Sequence, residues 1–498
     1  MIRLRPLLLV VLLVWAADAA SQRIVYSDYD RDDSRRMNFD VVGKVGGHFL
    51  IYKNTRNKHW ITVYDNDMVQ LDKVHQSYIP DNDRMINADF FPYSDFSYMV
   101  YQYQRKNVVY CMASRIGGDG KPLGDPVQLD TSHIGFSTNN RIYTAVTSED
   151  KGRIAVFKIN SRNKQRFVMT TLLFDARLDL LKRSRIEIPM EERTDNLGDF
   201  TLDNDGDLVF CKFFRNNNDN ISRATLLVKY AQADTLLAQE LAIEKTLLDE
   251  VHIKVDNVNK RYFLTSFYFR ERRGTIDGLY FFVWDKPGQT VRSETTFEFG
   301  EDLRREARGN ASVKLAFNDF FIRQIIMRRD GGFLLGTESY YTTSRFNSWN
   351  RWNFLYGSPF YSPFYSDFYY APYFNNSFWN NRFGNNQSVR YHADNLAVFS
   401  FGPDGRHEWS TVIAKTQFND ESDDLVSYQL MNTGGQLHFL FNLQERRNNL
   451  LNDFSVTPSG ELNRNPTLKN LDKGYEFMPK YGKQVSARQM IIPCIYRN

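Results

Sequence analysis

DFTLDNDGDLVFCKFF, residues 199–214, is the stretch on which the fold is read. An apolar run leads into Asp203-Asn204-Asp205-Gly206-Asp207, and a second apolar run leaves it. A short Gly/Asp/Asn cluster between β-rich runs is a hairpin turn, because such turns demand backbone angles that these residues accept. Outward along the chain the same hairpin returns. It reads VVGKVGGHFLIYKN (41–54), DFFPYSDFSYMVYQYQ (89–104) and YTAVTSEDKGRIAVFKIN (143–160) on one side. On the other it reads HIKVDNVNKRYFLTSFYF (252–269), IIMRRDGGFLLGTESY (325–340) and YQLMNTGGQLHFLFNL (428–443), with a degenerate last copy, PKYGKQVSARQMIIPCIY (479–496).

A second hairpin follows most copies, as in HWITVYDNDMVQLDK (59–73) and NDFSVTPSGELNRNP (452–466). Two hairpins make four antiparallel strands, and the unit recurs at about fifty residues, the dimensions of a propeller blade. The expected fold is all-β: a single β-propeller over 23–498 with about eight four-stranded blades, seven being the alternative. Strands from both termini, Arg23-Ile24-Val25-Tyr26 with the segments near 475–482 and 488–496, are expected to close the ring and so remove an exposed edge. Paired β-sandwiches use similar short strands, but they do not account for a double hairpin that returns with a fixed internal order.

Met1-Ile2-Arg3-Leu4-Arg5, the apolar run Leu7–Trp15 and Ala17-Asp18-Ala19-Ala20 have the three parts of a signal peptide, expected over residues 1–20. The apolar run is too short to span a bilayer, and no later run qualifies. No cysteine follows the small residues, so a lipoprotein anchor is not expected, and the mature chain is placed in the periplasm or outside the cell. Lys+Arg 63 against Asp+Glu 59 is near balance and scattered, which argues against a nucleic-acid face. Cys111, Cys211 and Cys494 are too few and too widely spaced for a disulfide framework or a metal site. Cys111 and Cys211 sit in apolar runs and read as small buried strand residues.

RRDGGFLLGTES (328–339), followed by LAVFSFGPDGRHEWS (396–410), resembles the repeat of secreted bacterial propellers of the Bacteroidota type. In that pattern an Asp-Gly-Gly turn leads one strand and a Gly-x-x-x-Trp turn ends the unit. The resemblance implies fold and compartment. Proteins of this kind are largely of unassigned function, so it carries over no catalytic residue.

One unit, the sixth, departs from the pattern. Its second strand is expected to end near Tyr340 and its third to begin near Asp394, with an insertion over 341–392 that holds 19 aromatic residues, 9 Asn and a single carboxylate, Asp367. Residues 299–317 form a second long connection beside it. Blade topology puts both on one face, called top here, and loops on a rigid scaffold are where function concentrates. Aromatic faces with Asn and Arg hydrogen-bonding groups suit sugars, extended peptides or protein partners. The candidate ligand-binding residues are Trp349, Arg351, Trp352, Tyr356, Tyr361, Tyr365, Tyr370, Tyr373 and Trp379, and the expected partner is an extracellular glycan or protein. A low-complexity loop without a ligand is the competing reading of this segment.

No catalytic residue, metal or cofactor is expected. Asp203–Asp207 has Gly in the fourth rather than the sixth position of a calcium loop, and Phe214 stands where a bidentate Glu belongs. The acidic run Asp420–Asp424 reads as a solvated loop. The rival to a binding protein is a secreted carbohydrate-active hydrolase with a top-face carboxylate pair, drawn from crossover residues such as Glu191, Glu192, Asp195 and Asp249.

Overall fold

The computed structural model describes residues 23–496 apart from 31–36, 56, 81–83, 136–140, 164–165, 191–194, 216–218, 244, 310, 345–350, 352–368, 371–388, 421, 446–447, 467 and 469–473. Among the described residues the regular secondary structure is almost entirely strand, laid down as consecutive four-stranded antiparallel units consistent with a β-propeller. Sheet 1 runs Met37–Val45, His48–Thr55, Lys58–Tyr64 and Gln70–His75, and sheet 2 Arg84–Pro92, Phe96–Arg105, Val108–Gly117 and Val127–His133. Sheet 3 runs Thr144–Thr147, Arg153–Asn163, Arg166–Asp175 and Leu180–Pro189, and sheet 4 Asp195–Leu202, Leu208–Arg215, Ile221–Lys229 and Leu236–Glu240. Sheet 5 runs His252–Asp256, Arg261–Phe269, Gly278–Asp285 and Thr290–Glu298, and sheet 6 Phe320–Met327, Phe333–Ser344, Val389–Phe401 and His407–Ile413. Sheet 7 runs Tyr428–Asn432, Leu437–Glu445, Asn448–Val456 and Leu462–Arg464. Beyond it, Tyr475–Phe477 pairs with Cys494–Tyr496, and Lys483–Ser486 with Gln489–Ile491.

Each major hydrophobic cluster draws its side chains from two successive sheets. Val42, Leu50 and Ile61 of sheet 1 meet Phe90, Met99 and Tyr101 of sheet 2, and Phe263 and Phe281 of sheet 5 meet Phe333 and Phe401 of sheet 6. A middle strand therefore buries both faces, which is why Arg261–Phe269 reads as a near-continuous apolar run rather than an alternating one. Cys111 and Cys211 are fully buried in these layers, and burial drives both thiols well above the usual range.

The first-hairpin tips all lie on the bottom face, and polar contacts pass from one to the next. The Gly46 amide donates to Ser94 O, Asp150 N to Asn204 Oδ1, and Asn204 N to Asn257 Oδ1, at 2.7, 3.2 and 2.9 Å. The Asp203–Asp207 motif is one of these tips. Asp203 Oδ1 accepts from the amides of Asp205 and Asp207, and Gly206 takes the positive φ of +93° that closes the turn. Lys286 of sheet 5 answers the acid cluster, its Nζ lying 2.6, 2.7 and 2.8 Å from carboxylate oxygens of Asp203, Asp205 and Asp207.

The acidic run 420–424 is solvated at Asp420, as expected, whereas Asp423 is buried. Asp420 pairs with Arg390 at 2.8 Å, Asp423 with Lys480, and Asp424 accepts from Tyr481 Oη at 3.0 Å. Among the described residues no group of three His, Cys, Asp or Glu side chains could hold a metal ion, and no helix is long and apolar enough to cross a membrane.

Candidate functional site on the top face

The insertion of sheet 6 rises on a stalk that the sequence reading cut short. The ladder continues past Tyr340 and Asp394, pairing Tyr341 with His392, Thr342 with Tyr391, Thr343 with Arg390 and Ser344 with Val389. Aromatic and β-branched residues on these four rungs favour the extended pair, and Tyr341 stacks on His392 with centroids 4.4 Å apart. Phe418–Asp420, from the crossover to sheet 7, adds a short third strand against Arg390–His392. The long connection before sheet 6 contains a helix, Glu301–Ala307, which the strand-dominated reading did not anticipate. Arg304 ties it down by donating to Ile276 O at 2.7 Å and Phe299 O at 3.0 Å.

Arg351 fastens the insertion to the body. It is 6% exposed, and its Nε and Nη2 both donate to Asp249 Oδ2, the former at 3.1 Å. Its Nη1 donates to Phe320 O at 2.6 Å and Asn318 O at 3.2 Å. The guanidinium also stacks 4.0 Å over the Phe321 ring. Further along, Tyr369–Tyr370 pairs with Asn160 and Ile159 of sheet 3. The segment that starts on sheet 6 is thus held at its root near sheet 5 and again at the edge of sheet 3.

Asp249 is positioned by the crossover from sheet 4 to sheet 5. Leu247–Leu248 forms a two-residue strand that bridges Ile221 of sheet 4 and Phe269 of sheet 5, so the next residues enter the inner strand of sheet 5 at its top. There Glu250 Oε2 lies 3.8 Å from His252 Nε2, both side chains about one-fifth exposed at 20% and 22%. Asp199, on the inner strand of sheet 4, accepts a hydrogen bond from Ile253 N. Arg323, on the inner strand of sheet 6, lies 3.5 Å from the fully buried Glu338, which also pairs with Lys415 at 2.9 Å.

Burial, reinforced by the Asp249 charge, pushes the Glu250 carboxyl up to about 7 against the pull of Arg351, Arg323 and Arg215. Burial lowers His252 below the usual histidine value despite Asp199 and Asp249. Near neutrality, then, a carboxyl ready to give or take a proton stands beside a neutral imidazole. Between the ordinary carboxyl value of 4.5 and about 7 the folded chain holds a proton on Glu250 that the unfolded chain has released, so this group makes stability fall as pH rises through that window. Glu250→Gln is expected to match the native chain near pH 4 and to exceed it above pH 7 by on the order of 1–3 kcal/mol. Urea melts across that range test this; parallel curves for the two proteins would mean that Glu250 titrates normally.

Of the residues singled out in the sequence, Arg351 is placed as an internal anchor and Tyr370 as part of the strand against sheet 3. Trp349, Trp352, Tyr356, Tyr361, Tyr365, Tyr373 and Trp379 lie outside the described residues, as do Glu191 and Glu192. Asp195 is buried 3.6 Å from Arg223, and Asp249 is committed to Arg351. Glu250, His252, Asp199 and Arg323 escaped the sequence reading because they come from three different repeats. The one usable signal was local: Asp249-Glu250-Val251-His252 places three titratable residues just ahead of a strand.

No protein-family profile and no curated protein matches this chain. Among solved structures, a polysaccharide lyase of family PL25, an ulvan lyase bound to -[GlcA(1-4)Rha3S]-, aligns over 78% of this chain and 84% of its own. Its identity is 10% and its TM-score 0.36. A prolyl endopeptidase aligns over 85% of this chain and 55% of its own, at 8% identity and a TM-score of 0.35. A protein of unknown function from Bacteroides caccae aligns over 60% and 82%, at 11% identity and a TM-score of 0.25.

Proposed function

We propose that this protein is an eight-bladed propeller acting outside the cytoplasm as a non-catalytic binding or scaffold protein, and that it recognises a glycan or protein partner on its top face. Support for eight blades comes from the seam. Lys483–Ser486 and Gln489–Ile491 lie between sheets 7 and 1: Gln484 exchanges hydrogen bonds with Asn432, Lys483 donates to Val42 O at 3.2 Å, and Lys44 to Gln489 Oε1 at 3.0 Å. The N-terminal segment joins there too, with Tyr26 stacked on Tyr475 at 5.3 Å.

The observation that carries the functional reading is the double fixation of the insertion, by Arg351 on Asp249 and by Tyr369–Tyr370 on sheet 3. A buried charged anchor at Arg351 supports a role for the aromatic-rich segment that follows it, whose composition suits recognition. The test is a glycan and polysaccharide binding screen on the mature chain and on a variant with Trp349, Trp352, Tyr361, Tyr365 and Trp379 changed to Ala. Arg351 is kept so that Asp249 stays paired. At least a tenfold loss of affinity is expected, and equal binding by both proteins would remove the insertion from the recognition surface.

A second reading, a secreted carbohydrate-active hydrolase, is favoured by Glu250 and His252 alone. With Asp249 committed to Arg351, Glu250 supplies one carboxyl of the top-face pair that such a hydrolase uses. Turnover of a bound glycan that disappears in Glu250→Gln would select this reading over the first.

A further inference from the structure

The seam between the first and last sheets holds a cavity of about 500 Å³, remote in sequence from the insertion and from Glu250. Its origin is the shortness of the C-terminal strands, three or four residues each and paired as two separate ladders. Full-length strands fill the other layers between sheets. Here only small clusters form, Val41, Phe49 and Tyr64 against Ile491 on one side, and Leu440 and Leu451 against Phe477 on the other.

The walls are of two kinds. The apolar wall is aliphatic and thioether, including Met37, Met68, Met431, Met478 and Met490, with aromatic rings such as Phe39 and Phe477 among them. Unbranched, adaptable methionines conform to a flexible chain better than rigid branched side chains do. The charged lining comprises Arg23, Asp28, Asp30, Lys53, Asp453 and Arg488, of which Lys53 is the buried cation. Lys53, 5% exposed, donates to Asp30 Oδ2 at 2.6 Å and to Tyr64 Oη at 3.3 Å, and all three line the cavity. Burial alone would drag the Lys53 pKa down, but Tyr64 and Asp30 more than offset it and the ammonium is retained. Asp30 lies on the non-strand N-terminal segment and its side chain is 25% exposed against 7% for Lys53. Of the two partners the carboxylate is the one nearer water.

We propose that this cavity binds a single-chain fatty acid, with the acyl chain among the methionines and the ligand's carboxylate taking the place of Asp30 on Lys53. The volume falls within the roughly 300–1,000 Å³ of small-molecule sites. The site is independent of the top-face reading.

The test is calorimetric titration of the mature chain with fatty acids from octanoate to hexadecanoate, each below its micelle concentration. Affinity is expected to rise about fourfold per added methylene until the cavity is filled, then to level off. Hexadecanol, which lacks the charge, is expected to bind at least tenfold more weakly than hexadecanoate. Asp30→Asn, which removes the competing carboxylate, should tighten hexadecanoate binding severalfold, and Lys53→Met should abolish the preference for acid over alcohol. Met490→Trp should block both ligands, with circular dichroism confirming that each variant is folded. Absence of saturable binding at every chain length overturns the proposal, as does unchanged hexadecanoate binding in folded Lys53→Met and Met490→Trp. Binding only to phospholipid vesicles, and not to free fatty acid, would overturn it in favour of a membrane contact.

Discussion

Replacing Arg351 with Met is expected to lower the free energy of unfolding by about 3–5 kcal/mol, because it strands the Asp249 carboxylate in the interior. Asp249 has no way out. Its backbone amide is held by Phe267 O and Ser266 Oγ at 3.1 Å each, its side chain is 1% exposed, and among the described residues its Oδ1 has no hydrogen-bond partner even with Arg351 in place. The reciprocal change should behave differently. In Asp249→Ala the orphaned guanidinium belongs to the insertion, whose root can withdraw and carry the charge to water. The global loss should then be under about 2 kcal/mol, the rest of the pair's energy appearing as local release. Urea melts measure the first quantity, and limited proteolysis within 345–388 measures the second. Asp249→Leu combined with Arg351→Met should recover much of the loss, since a buried pair replaced by apolar groups is often neutral. Equal destabilisation by the two single changes, with no gain in cleavage, would mean that Arg351 is as firmly embedded as Asp249 and that the insertion cannot leave its anchor.

The second large effect is expected on the bottom face. Lys286→Met removes the cation shared by Asp203, Asp205 and Asp207, of which Asp203 and Asp207 have side chains only 4% and 7% exposed. Some compensation survives: Asp203 still accepts from Tyr262 Oη at 2.9 Å, and Asp207 from Ala231 N at 2.7 Å. A loss of about 2–4 kcal/mol at pH 7 follows for carboxylates left without their counter-ion. The pH dependence has a definite sign. Lys286, and after it Lys260, hold the half-exposed Asp205 carboxyl below the usual range. Its stabilising contribution is present above the unfolded carboxyl value of 3.8 and is lost as pH falls through the lower folded value. The native chain should therefore lose part of its advantage over the variant in acid, and the gap between their melting curves should be smaller at pH 3 than at pH 7. A constant difference at both pH values would show that Lys286 acts through packing of its stem rather than through charge.

Lys286 also marks the boundary between what could and could not be read in advance. The Asp203–Asp207 turn was legible, since its residue types at those spacings have one economical conformation. That the neighbouring unit would set a lysine against it was not, because the pairing spans 81 and 83 residues of chain. The same holds on the top face. The insertion announced itself by composition, yet its stalk was missed. Tyr340 to Thr343 carry no turn residue to end a strand, and Thr342 and Thr343, though polar, are β-branched and extend readily. The helix Glu301–Ala307 was missed for a related reason: with seven residues and Ala307 alone buried, it shows no apolar period to detect.

What the sequence determined by itself is everything set by local chemistry repeated along the chain: the all-β class, the four-stranded unit, the hairpin tips and the place of the insertion. Turn residues act over four positions and strand patterning over eight, so each copy states its own structure, and repetition makes the statement legible. What tertiary structure alone decided is which charges meet. Glu250 beside His252, Asp199 near both, Arg351 on Asp249, and Lys53 at the wall of the seam cavity all depend on how separate segments are brought together. A charge in water tolerates almost any neighbour, so sequence leaves little trace of its partner. Only when packing removes the water does the choice of neighbour become a matter of several kcal/mol.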